Sequence, residues 1–178
     1  MNICLIGYMG SGKTSVGKLL AKRNGMIFQD TDELIVSKEG RSIPKIFETD
    51  GEAYFRDTEH ALVVDMSEDK TLDNTVISTG GGLVIAERNR DYLKKVGKVI
   101  YLKASCETIY DRVKDDTNRP LLEGEDRMAK IRSMLDYRGP IYEAVCDYVV
   151  ETDGLDKVEL GFNSQDAGQH GKIRRRDI

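Results

Sequence analysis

Residues 7–14, Gly7-Tyr8-Met9-Gly10-Ser11-Gly12-Lys13-Thr14, satisfy the pattern G-x-x-x-x-G-K-[ST] without mismatch. They constrain the fold more than any other stretch, because the pattern works only between a strand and a helix. Asn2-Ile3-Cys4-Leu5-Ile6 reads as a short buried strand, and residues 15–24 read as a helix with Val16, Leu19 and Leu20 on one face. The glycines let the backbone turn so that successive N–H groups and the helix N-terminus point at one anion. Lys13 is then expected to reach the β- and γ-phosphates of a nucleoside triphosphate, with the Thr14 hydroxyl on Mg²⁺. The competing account is an ordinary glycine-rich turn, and the flanking strand and helix argue against it.

The stretches that follow repeat the same alternation. Met26-Ile27-Phe28-Gln29 is a second short apolar run, so strand, helix and strand form a βαβ unit with parallel strands. It ends in Asp30-Thr31-Asp32, at the carboxyl end of a strand, where ligands of open α/β sheets gather. Helix capping is the plain account of either aspartate; their position beside the phosphate loop favours a functional one. Residues 33–66 read as helical with breaks at Gly40 and Gly51. Phe55, Leu62 and Met66 share one face there, while Glu52, Arg56 and Glu59 share another, so both glutamates can hold Arg56. His60 reads as a surface residue without a partner.

Thr75-Val76-Ile77-Ser78 reads as a strand running into Thr79-Gly80-Gly81-Gly82. Three glycines in a row are costly in backbone entropy, and on the ligand side of the sheet they imply close approach of a ligand or another backbone. Residues 86–95 read as a helix, 98–102 as a strand, and Ser105 as the cap of a further helix containing Arg112. A polar loop around Arg119-Pro120, from about residue 114 to 126, suits a mobile lid carrying positive charge. Residues 128–137 read as a helix broken at Arg138-Gly139-Pro140, and Asp147-Tyr148-Val149-Val150 as the last strand. From residue 161 the chain is polar, then basic at Arg174-Arg175-Arg176, with little to bury; it is expected to be a disordered tail.

With 178 residues, one domain over residues 1–160 is expected, and the net charge of −4 argues against a nucleic-acid binder. Cys4, Cys106 and Cys146 are an odd set, and Cys4 and Cys146 sit in or beside apolar runs as small core residues, which suits a reducing cytosol. The chain opens on a strand rather than a signal-peptide pattern, and no apolar run approaches membrane-spanning length, so a cytoplasmic protein is expected.

The ordered set of Gly10-Ser11-Gly12-Lys13-Thr14, Asp30-Thr31-Asp32, Gly51-Glu52 with Phe55-Arg56 and Glu59, Gly80-Gly81-Gly82, Arg119-Pro120-Leu121-Leu122, and Tyr137-Arg138 with Pro140 and Tyr142 resembles the shikimate kinase family. These are small P-loop kinases, and the likeness runs from residue 1 to about 155. It implies a three-layer α/β P-loop fold: a central parallel five-stranded sheet, helices on both faces, a helical substrate-binding insertion at about 32–65, and a lid. It implies ATP-dependent phosphorylation of the shikimate 3-hydroxyl, giving shikimate 3-phosphate and ADP in aromatic amino acid biosynthesis. Gly10, Ser11, Gly12, Lys13, Thr14 and Ser15 then hold the nucleotide phosphates, with Arg112 near the adenine and Arg119 descending with the lid. Thr14 ligates Mg²⁺ and Asp30 touches it through water. Asp32 contacts the reacting hydroxyl as a general base, Arg56 and Arg138 clamp the carboxylate, and Gly80, Gly81 and Gly82 line the ring. Lys13, Asp32 and Arg119 are the expected catalytic residues.

The expected partners are shikimate and ATP, with no nucleic acid and no membrane, and the chain is expected to act as a monomer. The chain departs from the family in lacking a proline after its last strand, across Glu151-Thr152-Asp153-Gly154-Leu155-Asp156. A gluconate kinase on the same scaffold is the nearest alternative, but the His-Pro-rich stretch usual there is absent. A GTP-dependent switch would need an N-K-x-D segment, which is also absent. A non-catalytic nucleotide-binding module is opposed by the intact Lys13, Thr14, Asp32 and Arg119.

Overall fold

The computed structural model describes residues 1–114 and 126–154, together with the backbone of residues 173–175. Strands β1 (Ile3–Ile6), β2 (Ile27–Asp30), β3 (Thr75–Ser78), β4 (Lys98–Lys103) and β5 (Tyr148–Glu151) form a parallel sheet in the order β2-β3-β1-β4-β5. Central β1 is buried at every position, as a parallel strand covered on both faces must be. Its side chains alternate between the two sides. Ile3 and Leu5 join Val16, Leu20 and Ala21 of helix α1 (Lys13–Asn24) in one core. Cys4 and Ile6 face the other core, with Val63 of α3 (Ile43–Glu68), Leu93 of α4 (Arg90–Val96), Ile109 of α5 (Cys106–Val113) and Tyr142 of α6 (Arg127–Val145). A smaller core of Ile35, Ile46 and Phe55 joins α2 (Thr31–Glu39) to α3 and supports the helical insertion.

The five parallel strands match the expected sheet, and a further strand extends it. Within the tail expected to lack structure, β6 (Ile173–Arg175) pairs antiparallel with β5, Val150 opposite Ile173 and Tyr148 opposite Arg175. The rest of that tail lies outside the described residues. Gly40 caps α2, and Gly51 breaks the helical path inside α3 with φ 83° and ψ 173°, so both expected breaks are present. The expected break at Arg138-Gly139-Pro140 is not: α6 runs through Pro140 to Val145. Burial of Ile131, Tyr142 and Val145 on the face of α6 turned to the core outweighs the hydrogen bond that Pro140 cannot donate. The helix expected over 86–95 begins as a 3₁₀ turn, Glu87–Asn89, before α4. Cys4 and Cys146 are buried, and none of the three cysteines is in a disulfide. Among the described residues no helix is long and apolar enough to cross a membrane.

Candidate active site

The phosphate loop leaves β1 and enters α1 through left-handed backbone at Gly10 (φ 77°) and Gly12 (φ 99°), conformations open to glycine at little cost. Lys13 folds back over the loop, its Nζ donating to the carbonyls of Gly7 (2.9 Å) and Tyr8 (3.0 Å). Thr14 Oγ1 donates to Asp30 Oδ2 at 3.1 Å, which brings the end of β2 against the start of α1. Asp30 Oδ1 meanwhile accepts the Asp32 N–H at 3.0 Å as the cap of α2. The capping and functional accounts of this aspartate therefore coexist, one carboxylate oxygen serving each. Arg112 Nη1 donates to the carbonyls of Gly10 and Ser11, both at 3.3 Å, and Nη2 donates to the Thr152 carbonyl at 3.0 Å. It thus straps the loop to the end of β5.

Across the crevice stands Arg56, held by both expected glutamates. Its Nη1 donates to Glu59 at 2.7 Å, and its Nη2 and Nε donate to Glu52 at 2.9 and 3.1 Å. The two glutamates are not equivalent: the Glu59 side chain is 1% exposed and that of Glu52 64%. Burial pushes the Glu59 carboxyl up from its ordinary value, although Arg56 pulls it down. Asp32 is also pushed up, first by burial and then by the Asp30 charge, with Lys13 and Arg56 opposing.

The glycine run explains itself through these neighbours. A Cβ on Gly80 would lie 2.6 Å from Asp32 Oδ1 and 3.0 Å from Glu59 Oε1, and one on Gly82 would collide with Arg56 Nη1. Gly81 rests on the phosphate loop itself, its Cβ position 3.4 Å from the Gly7 carbonyl oxygen. Gly80 and Gly82 are glycine for close approach: Gly82, at φ −95°, needs no left-handed backbone. Arg138, from α6, lies over the Tyr8 ring with its guanidinium carbon 5.7 Å from the centroid. Among the described residues, the buried side-chain polar atoms without a hydrogen-bond partner are Ser11 Oγ, Asp32 Oδ1 and Arg138 Nε. All belong to the expected site, and buried polar atoms are rarely left unpaired without a reason.

The model of the shikimate kinase family matches residues 9–166. This chain belongs to the shikimate kinase family. It is 44% identical to the shikimate kinase of Thiobacillus denitrificans over 151 residues, 85% of this chain and 81% of that one. With the shikimate kinase of Thermodesulfovibrio yellowstonii it shares 44% over 159 residues, 89% of this chain and 90% of that one. Among solved structures it is similar to the shikimate kinase of Acinetobacter baumannii in complex with shikimate, at 40% identity and a TM-score of 0.82, covering 90% of this chain and 88% of that one.

In this member of the shikimate kinase family, Lys13, Thr14, Asp30, Asp32, Arg56, the glycine run and Arg138 converge on one crevice. Ser15 lies in the first turn of α1 and is exposed. Arg119 and most of the expected lid lie outside the described residues, whose edges are Lys114 at the end of α5 and Asp126 capping α6.

The sequence carried Thr31 and Tyr142 only as members of the family's pattern and did not reveal that they fasten the crevice. Thr31 Oγ1 accepts the Gly80 N–H at 2.8 Å, and the Tyr142 hydroxyl donates to the Gly81 carbonyl at 2.7 Å. His60 also has a partner, contrary to expectation: its Nδ1 lies 2.8 Å from Asn89 Oδ1. Asn89 Nδ2 is spent on the Leu83 carbonyl at 2.7 Å, so its oxygen faces His60 and the Nδ1 carries the hydrogen. One signal was available: Tyr142 stands four residues after Arg138, on the same helix face.

Proposed function

We propose that this chain transfers the terminal phosphoryl group of ATP to the 3-hydroxyl of shikimate, releasing ADP and shikimate 3-phosphate. The observation that carries the reading is the convergence of a phosphate loop with a buried carboxylate and two arginines across three side-chain-free glycines. A planar guanidinium matches a carboxylate by paired N–H donors, so Arg56 and Arg138 suit the acid group of the acceptor. Asp32, with an unpaired oxygen, takes the proton of the 3-hydroxyl as the hydroxyl oxygen attacks the terminal phosphorus and the bond to the ADP oxygen breaks. Lys13 moves from the Gly7 and Tyr8 carbonyls to the phosphates, and Gly10, Ser11, Gly12, Thr14 and Ser15 cradle them. Arg119 closes over the phosphates from the lid, and Arg112 sits by the base while bracing the loop.

Mg²⁺ fits the donors present. Thr14 Oγ1 and Asp30 Oδ2 are hard oxygens at one place, and among the described residues no cluster of acids, histidines or cysteines would hold a metal alone. An ion bound by few protein oxygens and by substrate phosphates suits that pair, and it supplies charge neutralisation on the phosphates. We further propose a single kinase domain over residues 1–160, acting as a monomer on small molecules in the cytosol. ADP release measured in a coupled assay with Mg-ATP is expected to rise on adding shikimate and not on adding gluconate. Absence of shikimate-stimulated turnover rejects the proposal.

A further inference from the structure

The glycine run presents a problem of main-chain orientation. Each peptide plane carries a carbonyl and an N–H pointing to opposite sides, since the bond is trans. Without side chains, glycine peptides turn between orientations at little steric cost. Three of the planes are anchored locally. The Gly80 N–H donates to Thr31 Oγ1, the Gly80 carbonyl accepts the Leu83 N–H at 3.1 Å, and the Gly82 carbonyl accepts the Ile85 N–H at 3.0 Å. The plane between Gly81 and Gly82 differs. Among the described residues its one hydrogen bond is from the Tyr142 hydroxyl to the Gly81 carbonyl, at 2.7 Å. That contact fixes the plane and turns the Gly82 N–H to the opposite side from Tyr142.

Tyr142 is placed to hold this orientation firmly. Its residue is 0% exposed and its ring packs on Tyr101, centroids 5.1 Å apart. Burial raises its phenol to about 12, against the opposing pull of Arg138, so the hydroxyl stays protonated and donating across the neutral range. It follows Arg138 by one helical turn on α6, so the same segment that carries the carboxylate clamp also grips the main chain lining the acceptor crevice. On the reading of the site as an acceptor pocket for shikimate, we infer that Tyr142 is a positioning residue. Its hydroxyl orients the Gly81–Gly82 peptide and sets the glycine run in register with Arg138. The phosphate loop has its own brace in Arg112, so the effect falls on the acceptor.

The test is steady-state kinetics on the full chain and on Tyr142→Phe and Tyr101→Phe, with melting temperatures alongside. Tyr142→Phe keeps the buried ring and removes only the hydroxyl. It is expected to raise the KM for shikimate about five- to tenfold, the range for one lost hydrogen bond, and to leave the KM for ATP unchanged. Tyr101→Phe, which removes a hydroxyl from the same aromatic pair without touching the glycine run, is expected to leave both constants unchanged. An unaltered shikimate KM in Tyr142→Phe, an equal rise in both constants, or the same rise in Tyr101→Phe overturns the positioning role while the wild type still turns over shikimate. A wild type without shikimate-dependent turnover overturns the reading of the site, and the inference with it.

Discussion

At the scale of single residues, the crevice holds Asp32 and Glu59 at a cost, because burial raises both above their ordinary values of 3.8 and 4.5. A carboxyl group raised by folding contributes stability that is fully present below its unfolded pKa and is lost as pH rises through the folded one. On the proposed reading activity runs in the opposite sense, since Asp32 as the base must be ionised to accept a proton and Glu59 to hold Arg56. On lowering the pH through the window just above 3.8 and 4.5, kcat/KM for shikimate is therefore expected to fall before that of a protein with ordinary carboxylates. The unliganded protein should gain stability from these two groups over the same interval. A pH profile with its acid limb at or below the ordinary carboxylate range would count against this arrangement. Spacing placed Glu52, Arg56 and Glu59 on one helix face, but it could not tell that Glu59 alone is buried, because burial depends on the glycine run packing there from a distant strand.

At the scale of elements, the insertion depends on how α3 is bent. Gly51 interrupts the helix at φ 83° and ψ 173°, a region that side chains other than glycine's occupy at a cost of about 1–3 kcal/mol. No atom stands within 4 Å of a Cβ placed there, so the cost is backbone strain and not collision. Gly51→Ala is expected to lower the melting temperature by that strain or to straighten the helix. Straightening would shift the segment holding Phe47 relative to that holding Arg56 and raise the KM for shikimate. A variant with unchanged melting and unchanged KM would show that the bend carries no load. The bend was legible because a glycine sits between helical runs. The continuity of α6 was not, because Gly139-Pro140 is an equally strong local stop signal and only the burial of Tyr142 and Val145 overrides it.

For the whole molecule, every described side chain at the crevice comes from residues 7–152, and β6 adds main-chain pairing on the far side of β5. A chain ending at residue 160 is accordingly expected to keep shikimate-dependent turnover. It should melt earlier and associate more readily, since β5 becomes an open edge. Loss of turnover on truncation would place the tail in the working site. The parallel sheet was readable from alternating strand and helix periods, and the donor half of the site from one contiguous motif. The acceptor half is assembled from α3, the segment after β3, and α6, whose meeting is a property of packing that no single stretch records. His60 illustrates the gap: its partner Asn89 lies twenty-nine positions away, beyond any local pattern.

Gly81 lies flush on the backbone of the phosphate loop, with nothing but main-chain atoms at the seam. On the proposed reading, the donor and acceptor halves of the site are spaced here by main chain, whose thickness does not vary with sequence. Helices on either side can exchange side chains without changing that spacing. A single added carbon at Gly81 would meet that seam at ordinary contact distance, 3.4 Å from the Gly7 oxygen, so the seam has room for a methyl group that the sites of Gly80 and Gly82 do not.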